Sequence, residues 1–277
     1  MTKKTTSPEF ISLDEAAKMK VGTRITFVPG IQAIYAEALK NICYVKKIKI
    51  TRVLHPFMGI DKKTGKDRQA RLYELTSQKS LPTMFHDEER PRNVWIEQLA
   101  LAEKIGSSDS INLIPDNFQD RADMFGLCAI VLGEDGLVWN MRILSDGPLA
   151  RKYGYSDEAS SKAPSKMAEI VKVIDRQLEK QQEKGSKYLI GDKISAIDIY
   201  WSTISMTILP ASLEIIRNQI YAIRGADLFC QSKLFYPNVS RTLFIMKHCR
   251  QRFLASKFVK PSLSIFTSIF INAHEGV

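Results

Sequence analysis

Hydrophobic and polar positions along this chain change period several times, and those changes mark its elements. A short β-rich run at 24–28 ends in Pro29-Gly30. Helical spacing of apolar residues follows over 33–45, and then Ile48, Ile50 and Val53 alternate imperfectly with basic and polar residues up to Leu54. Strand, helix, strand predicts two parallel strands joined by a helical crossover. Ser80-Leu81-Pro82-Thr83-Met84-Phe85-His86 reads as a turn into a third strand. After a polar bend at 87–90, a helix is predicted over 91–105, with Val94, Trp95, Leu99, Leu101 and Ala102 on its apolar positions. Gly106-Ser107-Ser108-Asp109-Ser110 is the best linker. Beyond it only helical patterns occur, over 116–133, 163–184, 195–209 and 241–253. The expected fold is therefore an α/β half followed by an all-α half.

The most specific segment runs from Gly185 to Trp201, Gly-Ser-Lys-Tyr-Leu-Ile-Gly-Asp-Lys-Ile-Ser-Ala-Ile-Asp-Ile-Tyr-Trp. Gly185 suits the left-handed conformation that closes a helix. Ser195 and Asp198 have the spacing of a capping box, Ile194 and Ile199 that of a hydrophobic staple, and the run that follows is almost wholly apolar. This predicts a capped helix buried on all sides. The segment resembles the helical domain of glutathione S-transferases, in which Tyr-Leu-x-Gly-Asp precedes a capped, buried helix. Leu81-Pro82 before a strand resembles the cis-proline feature of the same family's thioredoxin-like domain.

The resemblance covers about 22–258 and implies a glutathione transferase fold. An N-terminal extension (1–20) would precede a thioredoxin-like α/β domain (21–105), a linker (106–115), a helical domain (116–260) and an apolar tail (261–277). It implies a cytoplasmic homodimer that binds glutathione, with Leu81 and Pro82 holding the peptide part. The function expected is glutathione-dependent conjugation or thiol exchange on a small molecule. The alternative is a non-catalytic protein of the same fold that holds an anionic ligand or a protein partner.

Charge and cysteine usage narrow this picture. Forty Lys and Arg against thirty Asp and Glu give a net charge of +10, spread along the chain, which favours anionic partners. No nucleic-acid motif accompanies that charge, so a nucleic-acid partner is not expected. Cys43, Cys128, Cys230 and Cys249 are widely separated and read as reduced thiols. His55, His86, His248 and His274 do not cluster with Cys or acidic residues, and no metal site is expected. The apolar residues of 262–273 fall well below the ~20 of a membrane span, and no membrane segment or signal segment is expected.

The chemistry departs from the family pattern at two places and follows it at a third. Catalytic relatives set a Ser, Tyr or Cys beside the glutathione sulfur just after the first strand; here Pro29 or Gly30 occupies that position, and Gln32 and Tyr35 are the nearest polar candidates. At the start of the helix after the third strand, an acidic residue followed by Ser is replaced by Arg92-Asn93. Arg90 and Arg92 could make an anion corner there, or could pair with the carboxylates of the bend. In the helical half, the segment 133–142 resembles one that borders the second-substrate pocket of some bacterial members. It offers Trp139 as an apolar wall, with Asn140 and Arg142 as polar heads. The ligand-binding candidates are thus Gly30, Gln32, Leu81, Pro82, Arg90, Arg92, Asn93, Trp139, Asn140 and Arg142.

Overall fold

A computed structural model of the 277-residue chain describes residues 9–31 and 33–208. Gln32, the helix expected over 241–253 and the apolar tail lie outside the described residues. The chain divides into two compact units between Ile111 and Asn112.

The first unit opens with α1 (Leu13–Lys18), whose signal was present but unread. Ser12 and Glu15 form a reciprocal capping box: the Ser12 hydroxyl accepts from the Glu15 N–H, and the Glu15 carboxylate accepts from the Ser12 N–H. Strand β1 (Thr23–Phe27), helix α2 (Ile34–Val45) and strand β2 (Ile50–Leu54) make the parallel crossover that the hydrophobic pattern predicts. After helix α3 (Ala70–Thr76), strand β3 (Met84–His86) returns antiparallel to β1, giving the order β2-β1-β3. Single bridges extend both edges, Ile11 onto Val53 and Arg92 onto Met84. β1 is buried along its whole length, as expected of a central strand covered on both faces. Ile25, Phe27, Ala36, Leu39, Cys43, Met84 and Leu101 form the core between the sheet, α2 and helix α4 (Trp95–Ile105).

Helix α4 is four residues shorter than the pattern suggested. Arg92 and Met84 exchange backbone hydrogen bonds of 2.8 and 2.9 Å, so the chain at 91–93 is committed to the sheet before the helix begins. At the other end, buried Lys46 pairs with Glu103 at 3.1 Å and donates to the Ile111 carbonyl, tying α2, α4 and the following segment together.

The second unit comprises α5 (Phe118–Leu132), α6 (Leu137–Arg142), α7 (Pro148–Lys152), α8 (Asp157–Glu183) and α9 (Ala196–Ile208). Helix α8 begins six residues before the expected start because Ser156 caps it, the Ser156 hydroxyl accepting from the Ala159 N–H. The stretch Phe118–Arg142 is apolar enough by length and composition to cross a membrane. Its chain breaks at Gly133, however, and the 15 residues of α5 rise only ~23 Å against a hydrocarbon core of ~30 Å.

Helix α9 is core: Ile197, Ile199, Tyr200, Trp201 and Ile204 are all buried. Gly185 closes α8 at φ +78°. The loop that follows is laced to α8 by Gln177, which donates to the Leu189 carbonyl, and by buried Gln181, which donates to the carbonyls of Tyr188 and Gly191. Asp198 is the hub of the capping arrangement. Its carboxylate accepts from the Leu189 N–H, the Ser195 N–H and the Ser195 hydroxyl, each at 2.8 Å. The Ser195 hydroxyl therefore donates to Asp198, where the capping-box reading had both side chains accepting from backbone.

Candidate functional site

The segment around Leu81 and Pro82 is positioned by buried polar side chains. The Leu81–Pro82 peptide is cis. Thr83 is clamped to β1 twice: its carbonyl accepts from the Thr26 N–H at 3.0 Å, and its N–H donates to the Thr26 hydroxyl at 2.8 Å. The Thr83 hydroxyl in turn donates to the Ser80 carbonyl. Behind Thr26 the polar chain continues inward. The Thr26 hydroxyl lies 3.3 Å from His55 Nδ1, and Gln69 Nε2 lies 3.3 Å from His55 Nε2 while donating to the Pro56 carbonyl. Thr26, His55, Gln69 and Thr83 are all buried. Such a satisfied network rigidifies the backbone it touches.

From the other side Gln98 of α4 reaches in. Its amide donates to the Pro82 carbonyl at 2.9 Å and to the Arg92 carbonyl at 3.1 Å, which joins two of the sequence-nominated segments through one side chain. Flanked by these fixed groups, Leu81 has no hydrogen-bond partner for its own N–H and C=O among the described residues, and it is half-buried. An open backbone N–H and C=O pair of this kind can take the backbone of a peptide ligand.

The start of α2 carries no thiolate partner of the expected kind. Val28-Pro29-Gly30-Ile31 forms a turn with Ile31 N–H donating to the Val28 carbonyl at 3.1 Å, and Gly30 sits at φ +73° in its third position. Ala33 occupies the N-cap without a side-chain hydrogen bond. Tyr35 follows on the first turn, half-buried. The nearest thiol along this helix, Cys43, is buried and pushed up to about 12 by desolvation, so it is not a nucleophile.

At the α4 end, the two arginines are engaged by carboxylates of their own unit. Arg90 pairs with Glu97 at 2.8 Å, and Arg92 pairs with Glu89 at 2.5 Å, which also binds Lys104. Those cations hold the Glu89 carboxyl below its ordinary range. Asn93 does not cap α4; Val94 is the cap residue and supplies no side-chain acceptor. The Asn93 Oδ1 is out of water with no hydrogen-bond partner, which marks it as an acceptor awaiting a donor.

In the second unit, Trp139 of α6 packs edge-on against Tyr153, with ring centroids 4.7 Å apart. Asn140 turns inward, donating to the carbonyls of Asp135 and Gly136, and so stabilises the turn that starts α6. Arg142 is half-buried, makes no ion pair among the described residues and keeps its Nε buried without a partner.

Sequence reasoning missed Gln98, Thr26, Thr83, His55 and Gln69. For Gln98 a signal existed, since it shares the 95, 98, 99, 102 stripe of an apolar helix face. A polar residue on such a stripe needs a buried partner. The Thr26–His55 contact spans 29 residues and leaves no mark in local spacing.

No family model and no curated protein matches the chain. Solved structures do. Ure2p in complex with glutathione superposes with a TM-score of 0.53 at 10% identity, covering 74% of this chain and 92% of that one. A glutathione S-transferase from Methylobacillus flagellatus with glutathione bound gives 0.51 at 13% identity, covering 79% and 92%. A tau class glutathione S-transferase from mango, Mangifera indica, gives 0.50 at 14% identity, covering 93% and 100%. The chain has the glutathione transferase fold. On that fold the Leu81 edge, the start of α2 and the start of α4 all belong to the thioredoxin-like unit, whereas Trp139, Asn140 and Arg142 belong to the helical unit.

Proposed function

We propose that this glutathione transferase-like chain binds glutathione along the Leu81 backbone edge and uses it, as a cytoplasmic homodimer, in conjugation or thiol exchange on a small molecule. The observation that carries the reading is the unpartnered N–H and C=O of Leu81 between groups that are all fixed. A tripeptide offers a matching N–H and C=O, and each net hydrogen bond contributes about 1 kcal/mol. Further support comes from the neighbours, two of whose solved structures hold glutathione. The uncapped start of α4 favours a ligand carboxylate, and Asn93 and Arg92 lie beside it. Trp139, with Arg142 on the same short helix, is the candidate lining for a second substrate, whereas the buried Asn140 holds the turn that starts that helix.

A second reading is favoured by one observation. No Ser, Tyr or Cys follows β1 at the turn, where Pro29, Gly30 and Ile31 stand, and Tyr35 and Gln32 are the remaining catalytic candidates. A chain without thiolate activation would hold glutathione or another anion without turning it over. Calorimetric titration with glutathione, followed by assays with electrophile and disulfide substrates, separates the two. Binding with turnover supports the transferase; binding alone supports the second reading; neither overturns both.

A further inference from the structure

Between β2 and α3 the chain makes a small, pre-formed hairpin that contains none of the residues assigned above to glutathione. Ile60 and Asp67 bridge antiparallel, the Asp61 N–H donates to the Lys66 carbonyl at 2.8 Å, and the Arg68 N–H donates to the Gly59 carbonyl at 3.0 Å. Asp61 folds its own carboxylate into the tip, accepting from the N–H groups of Lys63 and Thr64 at 2.9 Å. The other carboxylate, Asp67, is taken by Lys79. Both acidic groups of the hairpin are thus committed, and both are held below the ordinary carboxylate range by these partners.

The lysines of the hairpin have no such partner, and Arg68 acts on Asp61 without forming an ion pair. Lys62, Lys63, Lys66 and Arg68 are exposed, and none forms an ion pair with a described residue. Elsewhere in this unit Lys20, Lys40, Lys46, Lys47, Arg71, Lys79, Arg90, Arg92 and Lys104 each have a carboxylate partner, and the exposed lysines without an ion pair, Lys18 and Lys49, stand singly in sequence. Beside the unpaired cations stand two aliphatic side chains out of the core, Ile60 at 60% and Met58 at 37% exposure. Phe57, the hairpin's own aromatic, is half-buried and so offers no open ring for stacking a base.

We infer that this hairpin is a peripheral docking site for an anionic lipid surface, with Lys62, Lys63, Lys66 and Arg68 meeting headgroup phosphates or carboxylates and Ile60 entering the apolar margin. Clustered cations with adjacent aliphatic side chains match the two layers such a surface presents, charge outside and hydrocarbon just beneath. The turn is already hydrogen-bonded, so little conformational freedom is lost on contact.

The test is flotation of the full chain with vesicles of phosphatidylcholine containing phosphatidylserine, against vesicles of phosphatidylcholine alone, at low and high salt. Each cation at an anionic surface contributes about fivefold in affinity. The triple variant K62Q/K63Q/K66Q is therefore expected to bind about a hundredfold more weakly, with an unchanged melting midpoint. Ile60→Ser should weaken binding several-fold while leaving its salt dependence intact. No flotation with phosphatidylserine at low salt, equal flotation with phosphatidylcholine alone, or wild-type affinity in the triple variant each overturn the inference. Capture of a single-stranded RNA or an acidic peptide without vesicle binding overturns the lipid assignment as well.

Discussion

Asp198→Ala removes the acceptor on which the start of α9 depends. Two backbone donors, the N–H groups of Leu189 and Ser195, would be left out of water, each at about 1–3 kcal/mol, or about 2–6 kcal/mol together. The Ser195 hydroxyl can turn elsewhere and adds less. Burial also raises the Asp198 carboxyl from 3.8 to about 6, outweighing the three hydrogen bonds that pull it down. Because the folded value lies above the unfolded one, the folded chain holds a proton between those values that the unfolded chain has lost. The stabilisation from that proton is complete below 3.8 and is lost as the pH rises through about 6. Between pH 5 and pH 7.5 the loss amounts to roughly 1 kcal/mol, and alanine has no such slope. Urea unfolding of both proteins at the two pH values is the assay, since comparing them cancels every other titrating group. The variant should be less stable at both, with the gap wider at pH 5 by about 1 kcal/mol. An equal gap, or a wider one at pH 7.5, would refute the reasoning.

Two glycines should respond with opposite signs. Gly136→Ala puts a Cβ 2.8 Å from the carbonyl oxygens of both Gly133 and Ile130 and should lower stability by about 1–3 kcal/mol, whereas Gly126→Ala on the exposed face of α5 meets nothing within 4 Å and should raise it by about 0.5–1 kcal/mol, both read from the urea midpoint. Gln98→Leu should weaken glutathione binding about tenfold in calorimetry, because the carbonyls of Pro82 and Arg92 lose their shared donor and the Leu81 edge loosens. Cys43 and Cys128, buried and raised by desolvation, should resist alkylation at pH 8 in the native protein and react once it is unfolded, as mapped by peptide mass spectrometry.

Much of the fold was legible because local chemistry dictates it. The β1–α2–β2 crossover follows from a change of hydrophobic period, and the α9 boundary from Gly185, Ser195 and Asp198, residues whose roles are set within a few positions of themselves. Boundaries failed where tertiary pairing intervened: 91–93 have a helical pattern, yet Arg92 is held by Met84 of the sheet. α1 could have been read from Ser12 and Glu15 alone. At the candidate site the sequence supplied Leu81 and Pro82 but not what holds them. Thr26, His55 and Gln69 converge from three elements, and only the fold brings them together. Arg90 and Arg92 show the opposite difficulty: the three carboxylates of the bend, Asp87, Glu88 and Glu89, left their partners open, and the geometry gives Glu89 to Arg92 but sends Arg90 to Glu97, outside the bend.

The central claim is that a peptide ligand completes the Leu81 edge. Titration of glutathione into leucine-labelled protein, followed through the backbone amide signals, addresses it directly. The Leu81 amide should shift strongly and saturably, with heat released in parallel calorimetry, while the buried Leu189 amide, already donating to Asp198, stays in place. A Leu81 amide that does not move at millimolar glutathione, with no heat of binding, would contradict it.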